Sequence, residues 1–148
     1  MQKILFLLLT MTALFAEVTV GERFPPLTLH NQFDQNISLD NTTKLLMVSF
    51  QKGVSSEIQT FLEKQEKGFL EQTHTLYMVD VSGLPSFILT LFALPKMKKF
   101  NFNVALIDQE ELAEKIPKEE DRVTLIKLDQ QQILSIEFVK PSALQDYF

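Results

Sequence analysis

Polar and apolar positions along this chain follow two alternating rhythms, one of period two and one of helical period. Residues 18–26 read as extended chain, with Pro25-Pro26 barring helix. Residues 27–29 and 37–39 are short alternating runs, and the polar stretch 30–36 between them predicts a hairpin turn. Residues 45–50 are almost continuously apolar, the mark of a strand buried on both faces. A break at Gln51-Lys52-Gly53 follows, after which Ser55 or Ser56 is placed to cap a helix. Ile58, Phe61, Leu62 and Phe69 fall on one face of that helix.

Residues 75–81 predict the next strand, through Leu76, Met78, Val79 and Val81. Pro85 suits the first turn of a second helix, expected to run to about Lys99. A short strand at 104–107 and a short helix at 110–116 come next. Residues 123–128 and 133–139 then form a closing hairpin across Asp129 to Gln132, and 142–148 make a final helical turn or two. Strands alternating with helices predict an α/β domain with a mostly parallel sheet covered on both faces, made mixed by the closing hairpin. No internal repeat or linker divides residues 17–148, so they are expected to form one domain.

Composition agrees with a packed globular core. Hydrophobic residues make up 45% and charged residues 22% of the 148 residues. Aromatic content is 13 Phe against 2 Tyr and no Trp, which suits a core better than a polar binding platform. The net charge of −5 and the lack of a basic stripe disfavour nucleic acid as a partner, since phosphate attraction supplies most such affinity.

The N-terminus reads as a targeting segment. Lys3 is a short positive region, residues 4–15 are apolar apart from Thr10 and Thr12, and Ala16 is a small residue at a cleavage point before Glu17. The apolar run falls short of the roughly 20 residues that cross a bilayer. A signal peptide over residues 1–16 is therefore expected, with export to the periplasm after cleavage. An uncleaved anchor, tethering the protein at the envelope surface, is the alternative. The chain has no cysteine. Disulfides, thiol catalysis and lipoprotein acylation are excluded with it.

With these residues in place, the layout resembles the thioredoxin-like superfamily, in the exported branch that holds TlpA-like proteins and peroxiredoxins. The opening VGERFPPLTLHNQFDQNISLD matches that branch at Gly21, Pro25, Ser38 and Leu39. KLLMVSF resembles the central strand that delivers the active-site loop. NVALIDQEELAEKI resembles the segment after the third strand, matched by Asp108, Leu112 and Ala113. RVTLIKLDQQQILSIEFV resembles the closing hairpin. The resemblance implies a thioredoxin-like fold: a central mixed β-sheet flanked by helices, with an N-terminal β-hairpin extension. Among its small exported members, the YtfJ-like group also keeps the frame without a clear Cys-x-x-Cys.

The departures fall where the resemblance places the chemistry. Active relatives carry a thiol at the start of the helix that follows the central strand, where the helix N-terminus favours the thiolate. Here the loop is Gly53-Val54-Ser55-Ser56-Glu57, with Ser55 or Ser56 in the thiol's place. Val123 stands where the facing cis-proline would fall, and Gln132 where the closing hairpin usually has glycine. The resemblance thus implies a redox-inactive bacterial pseudoenzyme, with a vestigial active-site loop.

A serine nucleophile needs a base, and the histidines available are His30, in the first hairpin turn, and His74, before a strand. Neither is placed by sequence near the loop. A plain helix cap is the simpler reading of Ser55-Ser56, with Glu57 adding a favourable first-turn charge. Two separated histidines and scattered carboxylates match no metal-ligand spacing, and no cofactor is expected. The stretch from Leu84 to Pro95 is apolar nearly all round. The simpler expectation is a helix buried between sheet and loops. The alternative is an exposed interaction surface at Phe87, Ile88, Leu91, Phe92 and Leu94. Lys96, Lys98 and Lys99 beside it suit an anionic surface or a solvated helix end equally well. Function is expected to be binding of another envelope protein, with membrane contact less favoured and a non-thiol enzyme using Ser55 or Ser56 as the alternative.

Overall fold

Residues 45–49 hold the centre of the molecule because every one of them is apolar or small enough to be buried on its own face. This strand, β3 (Leu45–Ser49), is buried at all its positions. Around it a computed structural model, which describes residues 16–148, places β1 (Thr28–Asn31), β2 (Asn36–Ser38), β4 (Thr75–Asp80), β5 (Ala105–Ile107), β6 (Val123–Asp129) and β7 (Gln132–Val139). The apolar segment expected to be a signal peptide lies, except for Ala16, outside the described residues. The strands form one seven-stranded sheet in the order β2-β1-β5-β4-β3-β6-β7.

The mostly parallel sheet expected from the alternation of elements is not what forms. Only β3–β4 and β4–β5 pair in parallel, while β1–β2, β1–β5, β3–β6 and β6–β7 are antiparallel. Parallel neighbours need a long crossover, and just two connections are followed by a parallel neighbour. The first carries α1 (Lys52–Glu63) and α2 (Phe69–Gln72), the second α3 (86–97). Both crossovers step the same way across the sheet. With the usual right-handed connection they lie on the same face.

Alternate side chains of the strands sort into two cores. On one face Leu45, Met47, Tyr77, Val79, Leu106, Val123 and Leu125 pack under α1, α2, α3 and the C-terminal turn Pro141–Tyr147. On the other, Leu46, Val48, Met78, Ile107, Ile126 and Ile133 pack under the N-terminal segment and α4 (Glu110–Lys115), through Val18, Phe24, Ala113 and Ile116. The extended N-terminal segment is stitched to the closing hairpin by backbone bonds from Gly21 to Ile133 and from Phe24 to Gln131, both 2.8 Å. The short C-terminal turn buries Leu144 completely and adds Phe148 to an aromatic cluster with Phe61 and Phe69.

Local chemistry accounts for where the elements differ from expectation. His30 and Asn31 belong to β1 rather than to the turn, which is closed by the Asn31 side-chain carbonyl accepting from the Phe33 and Gln35 amides at 2.9 and 3.0 Å. The helix expected to run through Phe69 ends at Glu63. Gly68, at φ 88°, starts the separate α2, and Phe69 meets Phe61 edge-on at 6.0 Å. The closing turn is only Gln130-Gln131, both at positive φ (51° and 67°). That is the shape of a two-residue hairpin turn matched to strand twist, normally Asn-Gly.

The helix α3 is not regular. Its middle, Leu89–Ala93, is π-helical, between α-helical turns at Ser86–Ile88 and Leu94–Met97. Pro95 explains this, since it has no N–H to give and its ring collides with the carbonyl four residues back. The expectation that 84–95 is buried on all sides is overturned. Leu89, Leu94 and Met97 pack on the core, whereas Phe87, Leu91 and Phe92 are 61%, 64% and 65% exposed. Ile88 and Leu94 are half-buried.

Candidate functional site

The edge of interest lies at the carboxyl ends of β3 and β4, where α1 starts. Sheets of this kind bind ligands at such an edge. Sequence placed a helix cap at Ser55 or Ser56, but α1 begins earlier, at Lys52. Gln51 holds the capping position in an extended conformation and makes no side-chain cap bond. Its Oε1 instead accepts from the Asp121 amide at 2.6 Å, which spends the capping group on the loop before β6. Ser55 therefore sits inside the helix, with its amide donating to the Gln51 carbonyl at 2.9 Å. Glu57 falls beyond the first turn, which contains no acidic residue, so it does not supply the expected dipole charge.

The helix divides the loop residues into two sets. Val54 is buried beside Ile58 and Val123 in one core cluster, and Ser55 is half-buried. Burying Val54, Ile58 and Leu62 is worth about 2 kcal/mol for each side chain, and it holds α1 on the sheet. Gly53, Ser56 and Glu57 face outward and are exposed. The Ser56 hydroxyl donates to the Lys52 carbonyl at 3.0 Å, a common habit of serine within a helix.

Ser55 turns inward to two residues that sequence reasoning did not single out. Its hydroxyl bonds to that of Ser49, the fully buried last residue of β3. The Ser49 hydroxyl also donates to the Gln51 carbonyl at 3.3 Å. Met47 of β3 is in register with Tyr77 of β4, which puts the phenol on the same face as Ser49, two residues on. Burial pushes the Tyr77 phenol well above its ordinary pKa, and hydrogen bonding with Ser55 and Ser49 offsets only part of that rise. Ser49 and Ser55 thus bond to each other beneath the first turns of α1, with the Tyr77 phenol beside them. A serine within the apolar run LLMVSF was the one visible signal of this cluster, since buried polar groups need partners.

The opposing wall is the loop before β6. Val123 is completely buried, and its neighbour Thr124 donates its hydroxyl to the Pro117 carbonyl at 2.8 Å. Asp121 adopts φ 57°, and every peptide bond among the described residues is trans. The structure thus brings Val123 against Val54 and pins its loop to the start of α1 through Gln51.

The candidate bases are elsewhere. His30 lies on β1 in the row that runs through Leu106 and Val79 to Ser49, three strand spacings or roughly 14 Å away. His74 precedes β4 at the opposite end of the sheet, about 16 Å along the strands from Ser49. Neither serine of the loop is hydrogen-bonded to a histidine or carboxylate. Among the described residues, no group of three or more His, Cys, Asp or Glu is placed to hold a metal ion.

No protein-family model matches the chain, and no curated protein sequence does. Solved structures do. A putative protein disulfide isomerase from Bacteroides thetaiotaomicron superposes with a TM-score of 0.58 at 18% identity, over 88% of each chain. The thioredoxin domain of a thiol-disulfide oxidoreductase from Bacteroides vulgatus gives 0.56 at 14% identity, over 88% of this chain and 99% of that one. A Cys-to-Ser mutant of PrxQ from Xylella fastidiosa gives 0.60 at 12% identity, over 89% and 93%. None of these comparisons bears out the finer likeness to the YtfJ-like group. Sheet order, flanking helices and these superpositions together establish the architecture: the chain has the thioredoxin-like fold, and it carries no cysteine.

Proposed function

We propose that this protein is an exported, redox-inactive thioredoxin-like module that acts by binding another protein of the cell envelope. The observation that carries the reading is the hydroxyl cluster of Ser49, Ser55 and Tyr77. Where the resemblance expects a reactive thiol, a serine hydroxyl is turned inward and bonded to groups that cannot take its proton near neutrality. Chemistry is given up at this position while the surrounding surface is kept. Gly53, Ser56 and Glu57 remain exposed beside the loop of Asp121, and the Gln51–Asp121 bond sets the two loops in a fixed relation. A preformed edge loses little entropy on docking, which favours binding.

Affinity capture from envelope extracts tests this. The bait is wild type or the double variant Glu57→Arg, Ser56→Tyr, whose changes point outward from α1. The wild type should recover a defined partner that the variant loses, with the unfolding midpoint unchanged. Recovery of the same proteins by both would show that the edge is not the binding surface. A serine-directed phosphonate probe addresses the enzymatic alternative: labelling of Ser55 or Ser56 would reinstate a nucleophile and defeat the binding reading.

A further inference from the structure

We propose that α3 docks this domain onto an anionic phospholipid surface, independently of any protein held at the loop edge. Phe87, Leu91 and Phe92 stand out from the helix more than half exposed, and Leu84 just before it is 41% exposed. Residues 87 and 91 are one turn apart. The π-helical widening brings residue 92 around to the same side, because its bonds span five residues rather than four. Lys96 follows Phe92 at four residues in the last turn of α3, and Lys98 and Lys99 lie in the turn just after Met97, so the cations cluster at the C-terminal end of the stripe.

Charge makes the stripe unusual within this chain. Between Asp80 and Asp108 there is no acidic residue at all, although the chain as a whole carries 19 acidic residues and a net charge of −5. Neither ion pair among the described residues involves Lys96, Lys98 or Lys99. The cations are thus left free beside protruding hydrophobes, the two features that bind an anionic bilayer jointly.

Composition favours lipid over a protein partner for this face. The exposed stripe is built of Phe, Leu and Lys, with no Arg, Tyr or Trp. Protein interfaces are rich in Arg, Tyr and Trp as well as Phe and poor in Lys, so it is the lysines that set this stripe apart. The shape agrees: cavities of about 370 and 570 Å³ are lined by other elements, whereas Phe87, Leu91 and Phe92 protrude from α3.

The test is flotation of the purified full chain with vesicles of phosphatidylcholine, alone or mixed with phosphatidylglycerol. Every variant keeps residues 1–15, so differences between variants report on α3. Wild type should favour the anionic vesicles, and the preference should fall with added salt. Replacing Lys96, Lys98 and Lys99 with Gln should cut the affinity for anionic vesicles on the order of 100-fold, about fivefold for each lysine. It should leave the weaker affinity for neutral vesicles unchanged. Phe87→Asp with Phe92→Asp should lower binding to both kinds. Insensitivity of anionic-vesicle binding to either variant overturns the proposal, as does a lysine effect that is independent of salt or equal on both vesicle types. A protein partner lost from Phe87→Asp, Phe92→Asp and not displaced by anionic vesicles would assign the ridge to protein instead.

Discussion

Replacing Ser55 by Ala probes the hydroxyl cluster where its role is most exposed. The change removes a side-chain oxygen that bonds to Ser49 and lies beside the Tyr77 phenol, both fully enclosed by the sheet and α1. Ser49 keeps its bond to the Gln51 carbonyl at 3.3 Å, whereas the phenol is left with one neighbour fewer. A buried polar group that loses its partner costs about 1–3 kcal/mol. We therefore expect Ser55→Ala to destabilise the protein by roughly 2 kcal/mol. Tyr77→Phe should cost less, about 1 kcal/mol, since Ser49 and Ser55 keep their bond to each other. Making both changes removes partner and orphan together. The double variant should then be more stable than the sum predicts, with a coupling of about 1 kcal/mol. Urea unfolding followed by far-UV circular dichroism reads this directly. With a slope of about 2 kcal/mol/M, Ser55→Ala shifts the midpoint by roughly 1 M and Tyr77→Phe by about half of that. Strict additivity, or a single-variant effect below about 0.5 kcal/mol, would mean that the hydroxyls are not a mutual network. A gain in stability from Ser55→Ala would be more damaging, because residues kept at a cost to stability mark functional chemistry.

The same phenol predicts an alkaline dependence. Its pKa is raised by burial, so above pH ~10 the unfolded chain releases a proton that the folded one retains, and stability falls by up to about 1.4 kcal/mol per pH unit. Below that range the contribution is fully present. The difference in unfolding free energy between wild type and Tyr77→Phe should accordingly shrink as pH rises, and a pH-independent difference would refute the burial. In the closing turn, Gln130→Asn with Gln131→Gly places residues suited to positive φ at 51° and 67° and should add about 1–2 kcal/mol by thermal or urea unfolding. No gain would argue against that turn geometry. Gln32, 1% exposed, donates to the Phe102 carbonyl at 2.8 Å and accepts from the Val104 amide at 2.9 Å, tying the first hairpin to the chain after α3. Gln32→Leu should cost about 2–4 kcal/mol and raise hydrogen exchange at Val104, while a loss under 1 kcal/mol would show that water replaces the amide.

The strands were legible where apolar residues left no choice of face. β3, β6 and β7 lie within a residue or so of their expected limits because their side chains fill two cores at once. Helix limits were less legible, since they depend on groups remote in sequence. Nothing near Gln51 announces that its side chain will serve Asp121, and that bond is why α1 starts without the serine cap. Phe69 carried a helical spacing that is really a contact between two helices across Gly68. In α3 the apolar stretch looked uniformly buried. Only the structure separates Leu89 and Leu94, which pack on the sheet, from Phe87, Leu91 and Phe92, which do not. The site was half legible. The loop residues and Val123 do come together, but Tyr77 joins Ser55 through strand register, which the local sequence does not encode.

Whether the loop edge binds a protein at all is decided by photocrosslinking from position 56 in intact cells. Ser56 is exposed on α1, so a photoreactive residue there faces whatever docks at the edge without disturbing the Ser49–Ser55–Tyr77 cluster. One discrete protein adduct from position 56, lost when Glu57→Arg is introduced, is the predicted result. Irradiation that yields no adduct, or the same diffuse set of adducts as from a position on the far face such as Glu114, would contradict it.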